Sequence, residues 1–243
     1  MRALMVLPLL ALVTQVLAAE PAGVTLSPIS ISLDAQRPAD AVTLTNGTTE
    51  EKVFQAEIVS WSHEQGEDRH LPTKELLVSP PMFRVAPGAR QVVRIGVKVR
   101  AAANSPTEKT YRLFLQEIPN AAPAAPADVG GVALKLLMRF GLPIFIKPNA
   151  PQPESLLWKA KSGKDGHTEL SLTNQGNRHI KISDIKLEAA GKSVNVDGFA
   201  YVFAGETHVW SLKPDGPLQV GAAQISARTE NGPIHDAITI VGP

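Results

Sequence analysis

Apolar residues in this chain recur at every second position, in short runs cut by proline or glycine. This alternation restricts the fold more than any other feature. APGARQVVRIGVKV opens on a Pro87-Gly88 turn, then places Val93, Ile95, Val97 and Val99 on one side and Arg94, Gly96 and Lys98 on the other. YRLFLQEIP (111–119) separates Tyr111, Leu113 and Leu115 from Arg112, Phe114 and Gln116 in the same way. VFQAEIVSW (53–61) sets Phe54, Ala56 and Ile58 against Val53, Val59 and Trp61. A period of two marks a strand with one buried face, and no run sustains the 3.6-residue period of an amphipathic helix. VTLSPISISL (24–33) alternates imperfectly around Pro28, as an edge strand would. AVTLTNG ends in an Asn-Gly turn signal. Strands at this spacing predict a β-sandwich of about 100 residues. The 20 prolines and 18 glycines are too many for a helical protein of this length.

PNAAPAAPADVGG (119–131) is rich in proline, alanine and glycine and reads as a flexible connection. KPNAPQPES (147–155) holds three prolines, which stiffen it and deny it strand pairing. A second strand series follows: LLWKA, HTELSLTNQGN, HIKISDIKLEA, AYVFAGETHVWSL, PLQVGAAQISA and HDAITIV, with turns at 163–166 and 175–177. The expected organisation is a signal peptide over 1–18, a first domain over 19–149 and a smaller all-β domain over 150–243.

The signal peptide rests on Arg2, the apolar run Leu4 to Leu12, and the small-residue site Val16-Leu17-Ala18, with cleavage after Ala18 or Ala19. The run is short for an anchor helix, and no stop-transfer charge cluster follows it. The chain has no cysteine, which removes disulfides, thiol catalysis and thiolate metal sites. An export signal without cysteine favours a bacterial periplasm. A net charge of +1, with both signs mixed, offers no basic block for nucleic acid.

Motifs of enzymes are missing. There is no G-x-S-x-G elbow, Walker loop or dinucleotide fingerprint, and no histidine pair has helical metal-site spacing. HEQGEDRH (63–70) groups His63 and His70 with Glu64, Glu67 and Asp68. That set could hold a divalent cation, but Gly66 and the dense charge suit a solvated hairpin tip, which is the expectation. Asn46-Gly47-Thr48 is read as a chance match to a glycosylation sequon. No catalytic residue, metal or cofactor is expected.

GGVALKLLMRFGLPIFIKP (130–148) does not fit an ordinary strand. At 19 residues it is almost as long as the roughly 20-residue apolar stretch that would span a membrane, but Lys135 and Arg139 would cost about 2.5–3.5 kcal/mol each near the bilayer centre. Its alternation is that of a strand, so no membrane insertion is expected. Val132, Leu134, Leu136 and Met138 could fill another chain's groove by β-strand addition, with backbone bonds for affinity and alternate side chains for specificity. They could also be core residues of this chain's own sandwich. Arg139 could grip a carboxylate with its two-pronged fork, or form an ordinary salt bridge.

LLVSPPMFRVAPGARQVVRIG (76–96), YRLFLQEIP (111–119), MRFGLPIFIKP (138–148) and LTNQGNRHIKISDI (172–185), in this order after a signal peptide, resemble the periplasmic chaperones of chaperone–usher pilus assembly. The resemblance covers the mature chain and is closest to the archaic or alternative branch. It implies an all-β chain of two immunoglobulin-like β-sandwich domains arranged as a boomerang. It implies a donor strand lent to a pilus subunit, delivery to an outer-membrane usher, and a basic pair in the inter-domain cleft that holds the subunit's C-terminal carboxylate. In the better-known branch one basic residue lies in the first strand, but VTLSPISISL has none. The archaic pattern points instead to Arg112, with Arg139 second and Lys147 as a weaker candidate. The donor residues would be Val132, Leu134, Leu136 and Met138, each worth roughly 1.5–3 kcal/mol on burial before ordering costs.

An empty apolar donor strand is also an aggregation hazard, which leaves self-association through it open. The rival expectation is a structural or adhesive protein of two immunoglobulin-like domains. Such a subunit would carry its own N-terminal donor extension, and AEPAGV before the first strand is too short for one.

Overall fold

The computed structural model describes residues 23–64, 66–119, 136–163, 166–213 and 218–242, almost all of them in or between β-strands. The first half runs β1 (Val24–Ser27), β2 (Ile31–Leu33), β3 (Ala39–Asn46), β4 (Lys52–Glu64), β5 (Glu67–Pro72), β6 (Leu76–Ser79), β7 (Met82–Val85), β8 (Arg90–Val97), the single turn α1 (Arg100–Ala103), β9 (Lys109–Ile118) and β10 (Arg139–Ile146). The second half runs β11 (Leu156–Ser162), β12 (Thr168–Asn174), β13 (Ile180–Ala189), β14 (Lys192–Val202), β15 (Thr207–Leu212), β16 (Gly221–Thr229) and β17 (Gly232–Val241).

In the first half the alternating sets close on each other. One sheet has the order β1-β3-β8-β6, and the other β2-β10-β9-β4-β5 with β7 also paired to β4. Val42, Leu44, Val93 and Ile95 from the first face Phe54, Ile58, Leu113, Leu115, Leu142 and Ile144 from the second. The second half forms one hydrogen-bonded path, β14-β13-β16-β17-β11-β12-β15. It folds over a separate core of Leu170, Leu172, Ile182, Leu187, Ile225 and Ile240. Its two faces are joined by a short parallel pairing of β11 with β17 at Ala160–Ile240 and Lys161–Val241. The chain is thus all-β, with two immunoglobulin-like β-sandwiches.

Three expectations change in detail. VTLSPISISL is two strands: β1 pairs with β3 in one sheet, and β2 pairs with β10 in the other. Pro28, which has no N–H to donate, sits where the chain crosses between them. Val99 does not point inward, because β8 ends at Val97 and the chain turns into α1. The described part of 130–148 becomes a strand only at Arg139, and Leu136 to Met138 lead into it as irregular chain. Leu142, Ile144 and Ile146 are buried in this protein's own core.

Pro143 is accommodated by phase. Glu117 N donates to Met138 O, so even-numbered positions of β10 exchange backbone bonds with β9. Odd-numbered ones face the other edge, where β2 starts pairing only at Ile144. The missing N–H of Pro143 therefore falls just outside the ladder.

Each sandwich also hides one asparagine in the same way. Asn46 ends β3, and its side-chain nitrogen donates to Val85 O and Glu50 O while its oxygen accepts from Thr48 N. Asn174 ends β12, donates to Val202 O and Arg178 O, and accepts from Gly176 N. Both follow Leu-Thr and both are fully buried. A buried amide is stable only when its bonds are made, so each pins a strand end to the loop beyond it. The sequon at Asn46 is therefore a structural amide inside the protein.

Candidate functional site

Because Tyr111, Leu113 and Leu115 of β9 enter the core, Arg112, Phe114 and Gln116 project from the opposite face of the sheet. Register gathers their neighbours. On β10, Pro143 lies opposite Arg112, Gly141 opposite Phe114 and Arg139 opposite Gln116. On the β4–β5 hairpin, Trp61 lies opposite His70 and His63 opposite Asp68. Both sequence-predicted arginines thus share one sheet face.

Arg112 is held by Trp61 and Asp68, which are themselves bonded to each other. Its guanidinium carbon lies 3.8 Å from the centre of the Trp61 ring. Its Nη1 donates to Asp68 Oδ2 at 2.9 Å. Trp61 Nε1 donates to the other oxygen of the same carboxylate at 2.9 Å. Arg112 Nε is buried without a partner. Gly141 makes room for this arrangement, since a Cβ there would stand 3.1 Å from Phe114 Cε1 and 3.4 Å from Arg112 Cδ.

Arg139 is more exposed and lies over a different ring, 3.9 Å from the centre of Phe114. Its position on β10 is displaced from Arg112 by four residues of β9, about 13 Å along the strand. His70 stands edge-on to Phe114 at 5.2 Å, with its Nε2 buried and unpartnered. Burial pushes its pKa below the ordinary histidine value; Asp68 opposes this, and Arg112 and Arg139 add to it.

Arg112 also marks the junction of the sandwiches. Trp61, Phe145 and Phe203 form a small buried cluster with Tyr201 against it, drawing residues from both halves. Burial and Glu230 raise the Tyr201 pKa, while the charge of Arg112 opposes them. Two histidines cross the junction. His63 Nδ1 donates to Glu206 Oε2 at 2.8 Å, and His63 Nε2 lies 3.2 Å from Asp68 Oδ1. The Glu206 bond raises the His63 pKa despite burial, with Asp68 adding to the rise. His179 stacks on Phe145 at 3.6 Å and bonds Glu108 Oε1 at 2.6 Å. Lys147, the weaker basic candidate, lies apart from Arg112, on a cavity of about 230 Å³ shared with Glu108, Arg178, His179 and Glu230.

Of the expected donor residues, Val132 and Leu134 lie outside the described residues. Leu136 is 79% exposed, and Met138 leans partly on the first core. HEQGEDRH forms a hairpin across its described residues. Its role at the junction was missed by sequence reasoning. The signal was present: the outward set Val59 and Trp61, extended one step, reaches His63. Among the described residues no three His, Asp or Glu side chains gather as a metal group.

Residues 23–152, more than half of the chain, match the family described as pili and flagellar-assembly chaperone, PapD N-terminal domain. No curated relative matches at the sequence level. The fold is similar to the CsuC–CsuE chaperone–tip adhesion subunit pre-assembly complex from archaic chaperone–usher Csu pili of Acinetobacter baumannii. The TM-score is 0.65 at 21% identity, covering 91% of this chain and 100% of that one. It is also similar to the Salmonella enterica SafA pilin complex with the SafB chaperone (TM-score 0.62, 17% identity, 90% and 98% covered). The Pseudomonas aeruginosa CupB2 chaperone gives 0.57 at 16% identity, with 89% and 100% covered.

Proposed function

The chain belongs to the pili and flagellar-assembly chaperone family, and from that premise we propose that it captures pilus subunits in the periplasm by lending them a strand, then hands them to an outer-membrane usher. The observation that carries this reading is the free edge of β10. Pairing with β2 begins only at Ile144, so from Arg139 to Pro143 the edge facing away from β9 has no strand partner among the described residues. An unpaired edge with apolar side chains is a template for another chain. Leu136, with Val132 and Leu134 before it and Met138 after it, would fill the groove of a subunit that lacks a strand.

Arg112 would receive the subunit's C-terminal carboxylate on the side of its guanidinium not held by Asp68, where the cleft lowers solvent screening. Arg139 would add positive charge nearer the lent strand. No residue is assigned a catalytic role. We place the boundary between the domains at 149/150, and cleavage of the export signal after Ala18 or Ala19.

Native mass spectrometry of the tagged protein, purified from its own periplasm, tests the reading. The expected species is a one-to-one complex with a smaller, strand-incomplete subunit. Arg112→Ala should keep the fold and lose most of that complex, and Arg139→Ala should weaken it. A lone monomer or homodimer while the client genes are expressed would instead favour the structural two-domain protein.

A further inference from the structure

Arg112 does not stand alone in the cleft. Its Nη1 is fixed by Asp68 Oδ2 at 2.9 Å. Asp68 Oδ1 accepts from Trp61 Nε1 at 2.9 Å and faces His63 Nε2 at 3.2 Å. The other nitrogen of His63 donates to Glu206 Oε2 at 2.8 Å, and Glu206 enters from the second sandwich just before β15. The His63 ring is stacked on Phe203, also of the second sandwich, at 4.3 Å and 3°. A line of hydrogen bonds, closed by the His63–Asp68 ion-pair contact, therefore runs from the arginine to the other half of the molecule.

Resting on the reading of Arg112 as the carboxylate anchor, we propose that His63 is a positioning residue that ties Arg112, through Asp68, to Glu206. The grip on a client's carboxylate then depends on how the two sandwiches dock. The chemistry is specific. A carboxylate can only accept, so a ring with an acid on each nitrogen satisfies both as imidazolium, with two N–H donors. A neutral ring satisfies one. Losing the proton releases either Asp68, which then swings with Arg112, or Glu206, which frees the second sandwich.

The charged and titratable groups around the ring agree. Glu206 and Asp68 favour the charged form, in that order, and Arg112 lies beyond Asp68. His208 on β15 is held below its ordinary pKa by burial and by the charge of His63, so it does not compete for the proton. Glu64 on the same strand pairs with Arg69. Since the His63 pKa is raised in the folded protein, the bridge is complete at low pH and is lost as pH rises through that value.

The test has two readouts on the full-length mature protein. Ring NMR should give His63 a midpoint above the ordinary histidine value, falling in both Glu206→Gln and Asp68→Asn; a midpoint that neither variant moves overturns the proposal. The second readout is the lifetime of the complex with the co-purified subunit, from pH 6 to 9. Wild type should lose it roughly tenfold faster at the upper end, the scale of one charge-assisted contact. His63→Gln and Glu206→Gln should be fast and nearly pH-independent at unchanged circular dichroism. If Arg112→Ala leaves the lifetime unchanged, the anchor reading itself is wrong. If Arg112→Ala shortens it while His63→Gln and Glu206→Gln keep the wild-type pH profile, only this inference falls.

Discussion

His179 has its ring against Phe145 and its Nδ1 on Glu108, with Glu230 Oε2 3.7 Å from Nε2. Burial alone would keep such a ring neutral, but the two acids outweigh it and lift the pKa to about 9. The folded state therefore holds a proton that the unfolded chain releases near pH 6.5. The contribution is complete below pH 6.5 and disappears as pH rises through 9, an interval worth about 3 kcal/mol. Urea unfolding at stepped pH should show that decline, and His179→Asn should flatten it. A wild-type slope that survives the substitution would place the titrating group elsewhere. At Gly141 the constraint is space. Gly141→Val should push Phe114 and the Arg112 stem aside, so subunit capture should fall severalfold while circular dichroism stays normal. Full capture by this variant would mean that the packing of Arg112 against β10 does not matter.

On the scale of elements, β10 and the chain leading into it divide by burial. Ile144 is fully enclosed, so Ile144→Ala should cost about 2–5 kcal/mol, read by chemical denaturation. Leu136 is exposed and touches little, so Leu136→Glu should move stability by no more than about 0.5 kcal/mol yet weaken subunit capture sharply. Unchanged capture would mean that the lent strand or its face is wrongly assigned. This division also measures what the sequence could tell. Period-two alternation identified β8 and β9 with their inward sets, Val99 excepted, because a half-buried strand writes its geometry into its residues. It could not separate an apolar face meant for the protein's own core from one meant for a partner, since both look the same to water. Hence 130–148 read as one strand, although among its described residues the strand begins only at Arg139 and the buried part only at Leu142. The outward placement of Arg112 on β9 was legible through alternation, and Arg139 shares that face. Asp68, Glu206 and the aromatic junction were not legible, because they meet across long stretches of sequence and a hairpin tip looks the same whether solvent or a domain faces it.

For the whole molecule, the question is what makes two sandwiches behave as one. An interface between domains must be large and apolar to suppress their relative motion. Here the buried apolar cluster among the described residues is Trp61, Phe145 and Phe203, a small one, so the charged crossings have to supply much of the remainder. They sit on both sides of the cluster: His63 with Glu206, and His179 with Glu108. Near the connecting segment, Asn177 Nδ2 donates to Pro106 O and Ala150 O, which pins the hinge but not the faces. Combining Phe203→Ala with Glu108→Gln removes one ring of the cluster and one crossing while leaving the hinge bonds in place. Calorimetry should then resolve two unfolding transitions where wild type shows one, and small-angle scattering should report a larger radius of gyration. Each core keeps its own buried residues, so the later transition should stay near the wild-type temperature. A single transition at an unchanged radius would assign the coupling to the Asn177 hinge, and the cleft that frames Arg112 would then be set by the connecting segment and not by the facing surfaces.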